Sequence, residues 1–211
     1  METTTTPMNG RRAQAARNDQ VILDAARAVF VADPGAPIAA VAERAGVGIS
    51  ALYRRYAGKE DLLRQLCSDG LETFAAEAEA ALAEEGDPWN SFAGFIRRIV
   101  DADVHSLTIN LAGTFTPDEH LRRAAAHASD LATRVFDRAV QAGVLRPGLD
   151  ATDMSMIFEQ LAALHLGDKE RTSQIRRRYL TLMLDALRLT EAASPPGPAP
   201  SAEEIGRRWV V

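Results

Sequence analysis

Cysteine is almost absent from this sequence of 211 residues, in which Cys67 is the only one. A single thiol excludes an internal disulfide and any metal site built from several cysteines. Because Leu63 and Leu66 stand beside it, Cys67 is expected to be a small buried hydrophobic residue and not a redox sensor.

Long apolar runs are also missing. The first residues, METTTTPMNGRR, are polar and lack the apolar segment of a secretory signal, and no stretch is long enough to span a membrane. We therefore expect a cytoplasmic protein. Because 46% of the residues are hydrophobic, the chain can still bury a substantial core, as one large or two small domains.

The sequence lacks strand-like alternation bounded by turn residues, so the predicted fold is all-α. It also lacks a Gly-x-Ser-x-Gly motif, a phosphate-binding glycine loop and a dinucleotide fingerprint. No histidine belongs to a His-Glu-x-x-His motif, and His120 and His127 lie two turns apart, too far to chelate a metal alone. The sequence therefore predicts no catalytic residue, no metal site and no cofactor, and an enzyme is not expected.

Positive charge is scarce over the whole chain, which has a net charge of −5. Between Arg11 and Lys59, however, eight basic residues outnumber four acidic ones, so this segment carries +4 and the remainder −9. A basic segment on an acidic body favours one orientation on DNA and keeps the body away from it.

The segment from Ile38 to Lys59 is predicted to form two short helices joined by a tight turn. Apolar residues recur at helical spacing from Ile38 to Ala45. Gly46 can take the left-handed conformation that ends a helix, and Gly48 leaves the next backbone amides free for a new one. The second helix is predicted from about Ile49 to Ala57, with small residues first and aromatic and basic residues after them.

Such a helix suits the major groove of DNA, because short side chains let the backbone approach the bases while flanking cations and hydroxyls hold phosphates. The predicted base-edge contacts are Gly48, Ile49, Ser50, Ala51 and Arg54. The predicted phosphate contacts are Arg12, Arg17, Tyr53, Arg55 and Lys59. Helix-turn-helix segments also occur as plain packing units, so the alternative is a helical-bundle interaction or small-molecule-binding protein that does not bind DNA.

The run AERAGVGISALYRRYAGKEDLL, with VILDAARAVF upstream, resembles the DNA-binding domain of the TetR family of transcriptional regulators over roughly residues 14 to 66. The matching positions are the turn Ala45, Gly46 and Val47, the pair Leu52 and Tyr53, the aromatic Tyr56, and the helix start Lys59 and Glu60. Three positions depart from the family pattern. Ala51 stands in place of a phosphate-binding Thr, Arg55 in place of His, and Pro37 in place of a capping Thr.

The resemblance implies an N-terminal three-helix helix-turn-helix DNA-binding domain followed by a larger helical ligand-binding and dimerisation domain. It further implies a homodimeric repressor that a small-molecule effector releases from a palindromic operator. The predicted limits are 1–11 for a disordered arm, 12–58 for the DNA-binding domain, 59–190 for the larger domain and 191–211 for a proline-rich tail.

Helix signals in the larger domain are clear. Asp87 before Pro88 predicts a helix start, and Thr116 to Glu119 is a capping box that predicts another. A further helix is predicted from Asp150 or Thr152 until Gly167, and a last long one from near Ser173.

The last long helix carries two apolar stripes, and one would suffice to pack it on its own domain. A symmetric contact with a second copy would cover the other, although burial of both within one subunit is the alternative. The predicted dimer interface comprises Met154, Ile157, Leu161, Tyr179, Leu182, Met183 and Ala186.

The resemblance also implies an internal ligand pocket in the larger domain. Its candidate residues are Trp89, Phe92, Phe95, His105, Phe115, Phe136, Phe158 and His165. For each aromatic residue, ordinary core packing is the alternative.

Overall fold

The computed structural model describes the backbone of residues 8–191 and 193–207 and the side chains of residues 19–191 and 193–207. In these ranges the chain forms ten α-helices, and its only strand-like pairing is an isolated bridge between Leu145 and Arg188. The all-α prediction is confirmed. The chain divides into two compact units, residues 1–66 and 67–211, with the border eight residues beyond the predicted one.

The first unit contains three helices and the start of a fourth. They are α1 (Met8–Ala32), α2 (Ile38–Ala45), α3 (Ile49–Tyr53) and α4 (Lys59–Ala83). Helix α1 begins at Met8, so the prediction of a disordered arm is wrong for residues 8–11, whereas residues 1–7 lie outside the described part. Ala26, Phe30, Val41 and Leu52 are fully buried in this unit, which fixes α1, α2 and α3 on one core.

The turn between α2 and α3 forms as predicted. Gly46 adopts φ +66°, and its N–H reaches the carbonyls at the end of α2. The N–H of Val47 donates to the carbonyl of Ala42 at 3.0 Å, which closes the helix end. Gly48 then takes an extended conformation and caps α3.

Helix α3 is shorter than predicted, because it ends at Tyr53 and not near Ala57. Beyond it the chain turns so that Tyr56 enters the core. The carboxylate of Asp61 accepts a hydrogen bond from the N–H of Ala57 at 3.0 Å. The burial of Tyr56 and this hydrogen bond favour a reversal of the chain here instead of a longer α3.

The second unit contains the rest of α4 and six further helices. They are α5 (Pro88–Asp101), α6 (Val104–Leu111), α7 (Glu119–Gln141), α8 (Ala151–Ala162), α9 (Lys169–Leu187) and α10 (Ala202–Gly206). Asp87 caps α5, Asp118 caps α7 and Asp150 caps α8. The predicted starts of these helices are confirmed to within a few residues.

Two boundaries of the last long helices differ from the prediction. Helix α8 ends at Ala162, five residues before Gly167, and α9 begins at Lys169, where the carboxylate of Asp168 accepts from the N–H of Arg171 at 2.8 Å. The side-chain hydroxyl of Thr172 bonds both backbone groups of Leu166. These local bonds hold the connection as a turn.

The chain that follows α9 is tied to the connection between α7 and α8. The N–H of Leu189 donates to the carbonyl of Val144 at 2.8 Å, and the N–H of Arg146 donates to that of Leu187 at 2.9 Å. The guanidinium of Arg146 also reaches the carbonyl of Ala193. The beginning of the proline-rich tail is therefore attached to the second unit.

Within the described residues, no helix is both long and apolar enough to cross a bilayer.

Candidate DNA-binding site

The outer face of α3 carries the predicted base-edge residues. Gly48, Ile49 and Ser50 are exposed at its first turn, and Ala51 is half-buried. Leu52 is fully buried beneath them, which fixes the direction in which this face points. The helix therefore presents small and apolar groups outward at its N-terminal end.

Exposed aromatic and basic groups follow at the other end of α3. Tyr53 is 53% exposed, and Arg54, which caps the helix, is exposed with no ion pair to any residue described here. Arg44, in the last turn of α2, is exposed as well. Arg44 was not among the predicted contacts, although its place opposite the apolar positions of α2 is a signal for an outward-facing cation.

Arg55, a predicted phosphate contact, is engaged within the first unit. Its Nη2 donates to Oδ2 of Asp19 on α1, with side chains 40% and 25% exposed. The guanidinium thus already has an anionic partner.

Lys59, another predicted phosphate contact, is also engaged within this unit. Its Nζ donates to the carbonyl of Pro34 at 2.7 Å and lies 5.2 Å from the ring centroid of Phe30. Lys59 is half-buried. The carbonyl and the ring therefore already stabilise part of the charge of its ammonium group.

The remaining phosphate predictions, Arg12 and Arg17, fall on α1, but their side chains lie outside the described residues. The site thus brings together one short helix with an accessible start, exposed cations at its end, and two further cations held by internal partners. An arrangement of this kind can follow a groove and pair with phosphates.

In the second unit, the predicted pocket aromatics form two groups. Phe74, which was not among them, lies 5.3 Å from Phe95 and 6.3 Å from Phe158 between ring centroids, both edge-to-face. Phe92 lies 6.0 Å from Trp89 and 6.3 Å from Phe136.

Phe115 and His165, which were also predicted to line the pocket, differ in burial. Phe115 is buried. His165 is exposed in the turn after α8, 3.4 Å from the carbonyl of Ala163. The early end of α8 removes His165 from the buried face, so the structure does not bring it to the buried aromatics.

His105 is the buried histidine of this unit. It is 5% exposed, its ring lies 5.8 Å from that of Phe158, and its Nε2 is 3.4 Å from Oγ of Ser106. Its Nδ1 has no hydrogen-bond partner in the described structure. Burial lowers the pKa of His105 to about 4, so the imidazole is neutral at neutral pH.

Charged neighbours modify the pKa of His105 in opposite directions. Asp103 raises it, whereas Arg176 lowers it. Asp103 and Arg176 pair at 2.6 Å, and Arg176 also donates to the carbonyl of Ala162 at 3.2 Å. Arg176 is buried, so α9 is fixed both to the connection before α6 and to the end of α8.

The predicted dimer residues separate into buried and exposed groups. Leu161 is fully buried and Ile157 nearly so, so both belong to the core of the subunit. Met154 and Met183 are half-buried, and Ala186 is exposed. Tyr179 and Leu182 on α9 are 47% and 55% exposed.

Cys67, the single cysteine of the sequence, lies within α4. Cys67 is buried, and burial raises the pKa of its thiol to about 12, which disfavours the thiolate. No group of three or more His, Cys, Asp or Glu side chains that could hold a metal exists in the part of the chain that is described.

A family model described as bacterial regulatory proteins, tetR family, matches residues 22–66. This segment spans the second part of α1 from residue 22, the whole of α2 and α3, and the start of α4, and it lies within the region of the sequence resemblance. No curated protein matches the sequence.

Many solved structures are similar to this chain. A TetR transcriptional regulator from Streptomyces coelicolor is 25% identical with a TM-score of 0.58, covering 81% of this chain and 98% of that chain. A TetR regulatory protein from Mycobacterium vanbaalenii is 24% identical with a TM-score of 0.57, covering 84% and 99%. The regulator LfrR from Mycobacterium smegmatis, solved in complex with proflavine, is 23% identical with a TM-score of 0.56, covering 78% and 95%. The latter two likenesses concern the fold alone.

Proposed function

We propose that this chain, whose residues 22–66 match a model of bacterial regulatory proteins of the tetR family, is a regulator of that family, a homodimeric repressor which a small-molecule effector releases from a palindromic operator. The observation that carries the proposal is the outer face of α3, where Gly48, Ile49 and Ser50 are exposed and Arg54 is exposed at the helix end without an ion pair to any described residue. We infer that this face enters the major groove.

The proposed contacts divide according to what each side chain can reach. Ile49 offers an apolar contact to a thymine methyl, Ser50 a hydroxyl to a base edge, and Arg54 a guanidinium to guanine. Tyr53 is proposed to hold a phosphate. Arg55 and Lys59 remain proposed phosphate contacts, but each must first exchange or share its internal partner.

The operator-binding experiment is a footprint on the DNA beside the gene, followed by fluorescence titration of the protected fragment. We expect a protected region with two-fold symmetry and half-sites about one helical turn apart. A protein that binds no fragment of its genome would instead support the alternative of a helical-bundle protein without DNA binding.

We propose that the effector is a neutral molecule with an apolar or aromatic body. The aromatic group Phe74, Phe95 and Phe158 supports this, because edge-to-face rings favour planar apolar partners. Neutral His105 beside Phe158, and the pairing of Arg176 with Asp103, leave no uncompensated charge there to attract an ion.

The effector experiment is purification of the protein from its host, followed by mass spectrometry of the small molecules released on unfolding. A neutral aromatic compound that, when added back, weakens binding to the operator fragment is the expected result. A multiply charged compound with the same effect would contradict the proposed chemistry.

Helix α4 includes residues of both units, and we propose that a change in its direction conveys effector binding to α3. We also propose that the protein acts in the cytoplasm, where its DNA is, and that it is not an enzyme, as is usual for regulators of this family.

A further inference from the structure

An ion pair within the first unit joins α1 to the turn that follows α3. Nη2 of Arg55 donates to Oδ2 of Asp19, and neither side chain is fully exposed. The second carboxylate oxygen, Oδ1, is buried without a partner in the part of the chain that is described. The carboxylate of Asp19 is therefore directed at Arg55 through Oδ2, while Oδ1 is shielded from solvent.

Two consecutive arginines thus differ in their availability for DNA. Arg54 is exposed without a described ion pair, whereas the guanidinium of Arg55 is held by a carboxylate. Sequence-independent affinity for DNA grows with the number of phosphates that cations neutralise. A guanidinium that already faces a carboxylate contributes less, because the pair must be broken or shared and the carboxylate repels the phosphate.

We propose that Asp19 is a positioning residue that holds Arg55 back from the phosphates and thereby lowers the sequence-independent affinity of this protein for DNA. The inference rests on the proposed DNA-binding function. Asp19 acts through Arg55 and need not contact DNA itself. As long as Asp19 holds Arg55, one fewer cation is available to neutralise DNA phosphates.

The test measures binding of the full-length chain to a short fluorescein-labelled duplex of arbitrary sequence over a series of salt concentrations. We expect Asp19→Asn to bind roughly three- to tenfold more tightly at low salt, and its log–log salt slope to steepen by about 0.9, the value of one phosphate contact. Arg55→Ala in the Asp19→Asn background should abolish this gain, and it should cost more affinity in that background than in the parent protein.

Asp24→Asn is the matched control, because it removes the same charge from the same helix. The Asp24 carboxylate accepts a hydrogen bond from Gln20 at 3.0 Å and has no described ion pair. We expect its salt slope to equal that of the parent protein. Thermal unfolding of each variant checks that the fold is intact.

A second pair of variants keeps the proposal testable if Asp19→Asn does not fold. Arg54→Gln should lower the salt slope by about 0.9, as loss of one phosphate-neutralising cation does, whereas Arg55→Gln should lower it by clearly less, because Arg55 must share its charge with Asp19. Equal losses for these two variants would overturn the proposal. So would an Asp19→Asn protein that binds no better than its parent, or an Asp24→Asn protein that gains as much. If the unsubstituted protein binds no duplex at any salt concentration, the proposed function itself fails.

Discussion

Arg54 is the side chain that we propose reads the DNA sequence most directly, since it is exposed at the end of α3 and not engaged by any described carboxylate. Its position could be read from the sequence, because it follows the buried Leu52 by two places. The engagement of its neighbour Arg55 by Asp19 could not, because these residues are far apart in the chain.

We expect Arg54→Ala to weaken operator binding by about 1–3 kcal/mol and to relax the preference at one base pair, because a bidentate contact to guanine is lost. The measurement is titration of the operator fragment and of variants substituted at each position. Lys59→Ala provides the comparison. The ammonium group of Lys59 contacts the carbonyl of Pro34 and the ring of Phe30, so its loss should affect base preference less than the loss of Arg54. A Lys59 variant that loses more base preference than the Arg54 variant would contradict these roles.

Because the side chain of His105 is buried, the stability of the protein should depend on pH. The pKa of His105 is lowered to about 4 in the folded protein, from 6.5, so the unfolded chain binds more protons between these values. The contribution of His105 to the free energy of unfolding should therefore rise with pH from about 4 to 6.5 and be constant above. The total rise that His105 causes over this range amounts to about 3 kcal/mol.

The measurement is chemical unfolding at several pH values and fixed protein concentration, comparing the parent with His105→Gln. The variant should lose most of the pH-dependent difference in this window. His165→Gln, which alters an exposed histidine, is the control and should keep it. Identical profiles for the parent and His105→Gln would show that His105 is not the group responsible.

At the scale of elements, the turn between α2 and α3 is set by a single glycine. Gly46 has φ +66°, and a Cβ added there would meet no atom within 4 Å. The cost of a side chain is thus backbone strain alone. Gly58 has equally open surroundings without a left-handed backbone.

We expect Gly46→Ala to lower the free energy of unfolding by about 1 kcal/mol, because a side chain disfavours the left-handed conformation. Gly58→Ala should be neutral or slightly stabilising, since it restricts the unfolded chain. Denaturant unfolding measures both. Equal losses in the two variants would point to packing and not to the backbone conformation.

Helix α9 shows what periodicity can and cannot decide. Two apolar stripes were visible in its sequence, and the structure buries one of them through Leu180, Leu184 and Leu187. The other stripe leaves Tyr179 and Leu182 exposed. Which stripe faces the core depends on how α5 and α8 pack against α9, and no local signal carries that information.

At the scale of the whole molecule, a second copy is expected on the exposed face of α9. Leu182→Glu places a charge on this face and should raise the dimer dissociation constant roughly tenfold or more. The affinity for the operator should fall as the dimer dissociates, because one intact dimer must occupy both half-sites. Sedimentation velocity over a range of concentrations gives the dissociation constant.

Leu189→Glu is the matched control, since Leu189 is 53% exposed and Leu182 is 55% exposed. Leu189 lies after the end of α9, so its substitution should leave the dimer intact. Dissociation caused equally by both variants would indicate a general effect of added negative charge, and not an interface on α9.

The amino-acid sequence by itself determined the helical fold, the turn at Gly46, the capped starts of α5, α7 and α8, and the resemblance of residues 22–66 to a family of bacterial regulatory proteins. These features depend on local periodicity, on glycine conformation and on side chains that reach only three or four residues away. The tertiary structure alone decided that α3 ends at Tyr53, that His165 leaves the buried face, and that Asp19 holds Arg55. The pairing of Asp19 with Arg55 joins distant positions of the chain, and Tyr56 turns after α3 into a core to which distant residues contribute. No local pattern contains the energies of such contacts.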